Sequence, residues 1–180
     1  MKKTVNYIYC ALFAALTAVC SQIIIPLAPV PVNLATLSVF VAGGILGAKL
    51  GAVSQVVYVL LGAFGVPVFA MFTGGMGKLI GPTGGYIIGY VAAAWLTGFL
   101  IERWGGQVHT IILAMVLGLS VCYILGTTWF MFVTKTGLVE ALMMCVVPFL
   151  VGDALKIAVG TTLVHRLRTI LSKRGMAPAV

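Results

Sequence analysis

Of the 180 residues, 62% are hydrophobic and only 8% are charged, and the mean hydropathy is +1.19. Soluble domains carry about 25% charged residues, so a chain this apolar reads as one integral membrane domain over residues 1–180. Its net charge of +8 sits mainly at the ends of apolar segments, with no basic stripe interleaved with aromatics, which excludes nucleic acid as a partner and makes the basic residues markers of topology.

Crossing ~30 Å of hydrocarbon takes about 20 apolar residues, and six candidate spans follow in chain order. The first, Tyr7 to Ile25, is preceded by a basic start and reads as a retained helix, because the apolar run is long for a signal peptide and no small-residue cleavage site follows it. It stops at "PLAPVPVN", where Pro26, Pro29 and Pro31 forbid a helix interior. Leu34 to Leu46 and Leu50 to Gly65 are two short spans with Lys49 between them. A loop from Val66 to Thr83 leads to the fourth span, Gly84 to Ile101, which "ERWGG" ends. The fifth is His109 to Val133, and the sixth region, Leu138 to Leu167, is interrupted by Pro148. The predicted class is all-α with six transmembrane helices.

Orientation follows from the basic residues. With the N-terminus inside, Lys2, Lys3, Lys49, Arg103, Arg166, Arg168, Lys173 and Arg174 face the cytoplasm, against only Lys78 and Lys135 outside. Both termini are then cytoplasmic, and the Pro26–Asn33 and Val66–Thr83 loops share the external face. Small residues recur four apart in Gly43, Gly47, Gly51 and in Gly85, Gly89, Ala93, a spacing that lets helix backbones approach closely and that reads here as packing within the molecule. The first helix carries a denser case, "ALFAALTA", with Ala11 and Ala15 on one stripe and Ala14 and Ala18 on the next.

Few residues can carry chemistry. The four cysteines, Cys10, Cys20, Cys122 and Cys145, lie in apolar runs without metal-ligand spacing, and no nucleophile, histidine and acid share a face, so neither a metal nor catalysis is expected. His109 and His165 read as interfacial. Asp153 is one of three acids and lies in "VVPFLVGDALKIAVG" with Lys156 three residues on, along the same helical face. A charge within a span costs at least ~2.5 kcal/mol on insertion scales. The pair therefore reads either as a self-neutralising pair or proton relay, or as a polar clamp on a ligand. If the last helix restarts at Pro148, Asp153 lies only ~7.5 Å below the external surface. On that surface "GGMGKLIGPTGGY" runs from Gly74 to Tyr86; it lacks P-loop spacing, and it reads as a helix start capped by Thr83 whose backbone N–H groups, with Lys78 nearby, face a ligand. With no nucleotide motif in the chain, active transport would draw its energy from a partner.

The blocks "PLAPVPVNLATL", "GAKLGAVSQVVYVLLGAFGVPVFA", "GGMGKLIGPTGGYIIGY" and "PFLVGDALK" occur in the order of, and closely resemble, the hallmark segments of the BioY family, the biotin-specific substrate-binding (S) components of energy-coupling factor vitamin transporters. Asn33-Leu34-Ala35 stands where that family usually reads Thr-Leu-Gln, and Val151 where it commonly has proline. The resemblance implies a six-helix S-component fold in a bacterial or archaeal cytoplasmic membrane. It implies high-affinity biotin binding without a cofactor of its own, and docking on a transmembrane T component energised by two cytosolic ATPases that use ATP. It further implies that Asp153 accepts a hydrogen bond from the ureido ring, that Lys156 meets either the ureido carbonyl or the carboxylate, and that Tyr86 holds the thiophane ring. Thr83, Gly84, Gly85, Lys78 and Asn33 join the expected biotin site, and Ala11, Ala14, Ala15 and Ala18 the face that docks on the transport module. The rival expectations are an S component for another small vitamin and a small membrane enzyme acting on lipid-like substrates.

Overall fold

A computed structural model of the chain describes residues 2–25 and 32–173. Among these, α1 (Lys2–Gln22) is followed by β1 (Ile24–Ile25), which pairs antiparallel with β2 (Val32–Asn33). Then come α2 (Ala35–Ala63), α3 (Met76–Ile80), α4 (Gly84–Trp104), α5 (Val108–Thr134), α6 (Leu138–Cys145) and α7 (Leu150–Lys173). The expected spans are present with shifted ends. The first helix stops at Gln22, because Ile24 and Ile25 leave it to pair with Asn33 and Val32. The proline-rich stretch itself, 26–31, lies outside the described residues, as does Arg174.

α2 is not one straight rod. At Gly47 the backbone takes φ 80° and ψ −177°, and the chain doubles back into two arms, 35–46 and 48–63. A Cβ placed on Gly51 would lie 2.9 Å from the Cα of Gly43, whereas residues eight apart in a straight helix are separated by ~12 Å. Only glycine fits the bend: its φ is in the left-handed region, and a Cβ there would run into the Glu102 carboxylate. The second and third expected spans are therefore real, and Lys49 lies beside the turn that joins them.

With α2 counted as two arms, α1, α4, α5 and α7 complete an all-α, six-pass membrane protein. α4 lies centrally, packed against α2 on one side and α5 on the other, while α1 packs on α2, and α7 on α2 and α5. α6 is not a crossing; it is a short helix before the Val147–Phe149 turn. Large apolar side chains such as Phe132, Val151 and Leu155 point outward over the transmembrane surface, as lipid contact requires. The interior has two apolar clusters. One is mainly aliphatic, with Phe40, Ile45, Leu100, Ile111, Met115 and Val164, at the Gly47 end. The other is rich in aromatics, with Tyr58, Phe69, Tyr86, Tyr90, Phe130 and Phe149, and lies beneath the 66–83 loop.

Candidate substrate-binding site

Polar and aromatic side chains from α2, α4, α5 and α7 converge beneath the 66–83 loop. α7 starts just after a 3₁₀ turn, Val147–Phe149, with proline in its first positions. Pro148 thus sets the restart of the last helix, and Asp153 falls in the first turn of α7, where the positive end of the helix dipole favours a carboxylate. Lys156, one turn on, donates from Nζ to Asp153 Oδ1 at 2.8 Å and to Thr36 Oγ1 at 3.1 Å. Tyr123 of α5 donates its hydroxyl to the other carboxylate oxygen, Oδ2. Asp153 and Lys156 are only 3% and 6% exposed, so the charges neutralise each other inside the protein rather than in water.

This pair forms part of the wall of an inner cavity of about 410 Å³, its open mouth included, together with Asn33, Thr36, Tyr86, Tyr90, Leu119, Cys122, Tyr123, Cys145 and Phe149. An outer cavity of about 430 Å³ shares Asn33, Tyr86 and Tyr90 with it and adds Tyr58, Phe69, Ala70, Lys78, Thr83 and Ile87. The two form one elongated site with a buried zwitterionic end and an outer end bearing a single lysine. Asn33 stands at the junction, where its Oδ1 also accepts the N–H of Ala35 at 3.1 Å and so starts α2. Tyr86 and Tyr90, one helical turn apart, present both rings to the site, and Tyr86 is fixed by a hydroxyl contact of 2.9 Å with Thr127.

The valences of the inner end show what it can take. An ammonium has three donors, and Lys156 uses two of them on Asp153 and Thr36. A carboxylate has about four acceptor positions, and Asp153 commits one per oxygen. One donor and two acceptors thus remain beside each other. That set complements a neutral group with N–H donors flanking a carbonyl.

Of the residues singled out from sequence, Asp153, Lys156, Tyr86 and Asn33 line the inner cavity, and Lys78, Thr83, Tyr86 and Asn33 the outer one. Gly84 and Gly85 line neither. They are packing glycines: a Cβ on Gly84 would meet the Leu79 carbonyl, and one on Gly85 would meet Trp129 and the Leu125 carbonyl. The backbone N–H groups of Gly84 and Tyr86 are already bonded to Gly81 O at 3.0 Å and Thr83 O at 3.2 Å. These two N–H groups are therefore not among the donors that the segment can offer a ligand. Thr83 does occupy the N-cap position of α4, but its side chain makes no capping bond. The expected docking face also divides. Ala11 and Ala15 are exposed on α1, whereas Ala14 is buried at 1% and Ala18 is half-buried against the core, because α1 turns that stripe toward α2. The sequence reading missed Tyr123, Tyr90 and Thr36. The signal available for the tyrosines was a phenol inside an apolar span, which needs a hydrogen-bond partner when buried.

Fold and site together define a six-pass membrane protein built around a cavity at one end of the helix bundle whose inner end is charge-balanced. The BioY family model matches residues 1–173, and the chain belongs to the BioY family. It is 40% identical over 158 residues to a probable biotin transporter BioY of Pyrococcus horikoshii, covering 88% of this chain and 93% of that one. It is 37% identical over 163 residues to the biotin transporter BioY of Thermotoga maritima, covering 91% and 95%. Among solved structures it superposes on the S-component for biotin from an ECF-type ABC transporter with a TM-score of 0.87 at 28% identity, covering 93% of each chain.

Proposed function

We infer that this chain is the biotin-binding S component of an energy-coupling factor transporter: a multi-pass membrane protein, not an enzyme, that captures biotin and delivers it inward with energy supplied by partner subunits. The observation that carries this reading is the buried Asp153–Lys156 pair with Thr36 and Tyr123, whose remaining donor and acceptors complement a ureido ring. Family membership and the biotin-transporter relatives support it. Biotin has a neutral ureido-thiophane head and a valerate carboxylate. The inner end is already charge-balanced, so a carboxylate there would leave a net buried charge. The neutral head therefore goes inward, with Asp153 accepting a ureido N–H and Lys156 donating to the ureido carbonyl. The tail runs past Tyr86 and Tyr90, and the carboxylate meets Lys78 and Thr83 in the outer cavity. On the lipid-facing side, the exposed Ala11/Ala15 stripe of α1 docks on a T component driven by two cytosolic ATPases. The face that carries the Gly47 turn is cytoplasmic.

Calorimetry on purified protein tests the site. Losing one hydrogen bond to a charged group costs ~1.5–3 kcal/mol, or roughly 10- to 150-fold in Kd. We expect Asp153→Asn to fold and to bind biotin weaker by that factor. Wild-type protein is expected to bind biotin methyl ester more weakly than biotin, and Lys78→Met to bind the two alike. Unchanged affinity in Asp153→Asn would make the acid structural, and tight binding of another vitamin in place of biotin would overturn the substrate.

A further inference from the structure

Ser21 and Gln22, the last two residues of α1, reach across to the segment 68–73 that overlies the outer cavity. Ser21 Oγ donates to Val68 O at 2.5 Å. Gln22 Nε2 donates to Val68 O at 3.2 Å and to Phe69 O at 3.0 Å, while its Oε1 accepts the Phe72 N–H at 2.9 Å. One carboxamide thus grips both strands of a tight turn, in which Phe69 and Thr73 form an antiparallel bridge around Ala70–Phe72. That turn is strained. Met71 and Phe72 have φ of 62° and 53°, two successive non-glycine residues in the left-handed region, a combination that persists only where neighbours over-determine it. Their side chains cannot be what holds it, since they are 62% and 73% exposed. Phe69, by contrast, is buried, sits edge-on to Tyr58 at 5.5 Å, and with Ala70 walls the outer cavity.

We propose that Gln22 is a positioning residue: a latch that keeps the strained 69–73 turn closed, seats Phe69 over the outer cavity, and links α1 mechanically to the binding site. It rests on the reading above, in which the cavity holds biotin and α1 carries the docking stripe. Hydrogen bonds weaken steeply with distance and angle, so a small shift or rotation of α1 upon docking breaks the three Gln22 contacts together. The strain then drives the turn open, and Phe69 leaves the cavity wall.

Stopped-flow biotin kinetics and cysteine labelling test the latch. Gln22→Leu removes all three contacts at nearly constant volume; it is expected to raise the biotin dissociation rate at least tenfold and the association rate by a smaller factor. Gln22→Glu keeps an acceptor for Phe72 N–H but loses both donations, and falls between. Phe72→Gly relaxes the left-handed backbone and is expected to slow dissociation, so the proposal stays testable even if Gln22→Leu folds poorly. A ligand-free arm uses Ala70→Cys with the four native cysteines replaced: maleimide labelling is expected to accelerate in Gln22→Leu and to slow in Phe72→Gly. Unchanged dissociation and labelling in both variants would overturn the latch, as would a Gln22→Leu variant that only lowers thermal stability. If wild-type protein fails to bind biotin while the labelling rates shift as expected, the latch stands and the substrate assignment falls.

Discussion

In the inner cavity a carboxylate is held from two sides, by Lys156 through Oδ1 and by Tyr123 through Oδ2, and the lysine is steadied in turn by Thr36. Each restraint fixes a rotamer, so the unused valences keep a constant direction toward a ligand, and little ordering is left for binding to impose. The same burial makes the pair unforgiving. Removing one partner of a buried ion pair costs ~3–5 kcal/mol, because the other charge is stranded. Lys156→Met is therefore expected to lower folding stability by about that amount, and Asp153→Asn added to it to restore much of the loss, while neither variant binds biotin tightly. Denaturation in detergent micelles checks this; equal stability of Lys156→Met and the double variant would show that Asp153 is not stranded. The two charges were legible in the sequence, because a charge within an apolar run is conspicuous at any position. Their partners were not: Tyr123 is 30 residues from Asp153 and Thr36 is 120 from Lys156, and both are neutral residues of a kind common in membrane helices.

At the scale of elements, the bundle is held at one end by a capped hairpin. Reversing the chain at Gly47 exposes the N–H groups that start the 48–63 arm and the carbonyls that end the 35–46 arm. Glu102 of α4 accepts the Ala48 N–H at 2.8 Å, and Arg168 of α7 donates to Gly44 O at 2.8 Å. Each charge has the sign that its helix end prefers. Four crossings are thus tied together by two side chains. We expect Glu102→Ala to lower stability by ~1.5–3 kcal/mol, the range for a hydrogen bond to a charged group, with Glu102→Gln losing less because an amide oxygen still accepts. Biotin affinity of the folded fraction should not change, since Glu102 touches neither cavity. A stability loss with unaltered calorimetric affinity is the expected pattern, and a parallel loss of both would mean that the hairpin positions the site. The crossings were legible from the length of their apolar runs, and Lys49 flagged the reversal. What the runs do not show is that one glycine suffices for the turn, or that α6 is a short helix leading into the Val147–Phe149 turn rather than a crossing. The small-residue rows were read correctly as internal packing: a Cβ on Gly43 would strike the Ala94 carbonyl, and one on Gly89 would lie 3.2 Å from Cys122 Sγ.

Six crossings bring the start of α1 and the end of α7 to the same face as Gly47, a face that also carries Lys49, Arg103, Arg166 and Arg168, while Lys78 and Lys135 lie at the other end. In the orientation proposed above on the positive-inside rule, the Gly47 face is cytoplasmic and the cavity opens outward, so a cysteine at Thr73 is expected to react with an impermeant maleimide from outside intact cells; labelling only from the cytoplasmic side would invert the molecule. Docking must in turn use lipid-exposed surface, and here the two alanine stripes of α1 give opposite expectations. Ala15 and Ala11 face outward between Ile8, Leu12 and Val19, whereas Ala14 is sealed in the core. Small side chains flatten a helix face and allow another helix to approach closely. Ala15→Trp would raise a bulk on that face without touching the interior. Ala14→Trp would overfill a packed interior, which costs ~1–3 kcal/mol or more. We therefore expect Ala15→Trp to fold, bind biotin as wild type does, and lose uptake that depends on the transport module. Ala14→Trp should instead lose folded yield first, with uptake falling only in proportion. Membrane extraction, calorimetry and uptake of labelled biotin in cells that supply the partner subunits separate these effects. Normal module-dependent uptake in Ala15→Trp would remove α1 as the docking helix, and with it the route by which docking reaches Gln22.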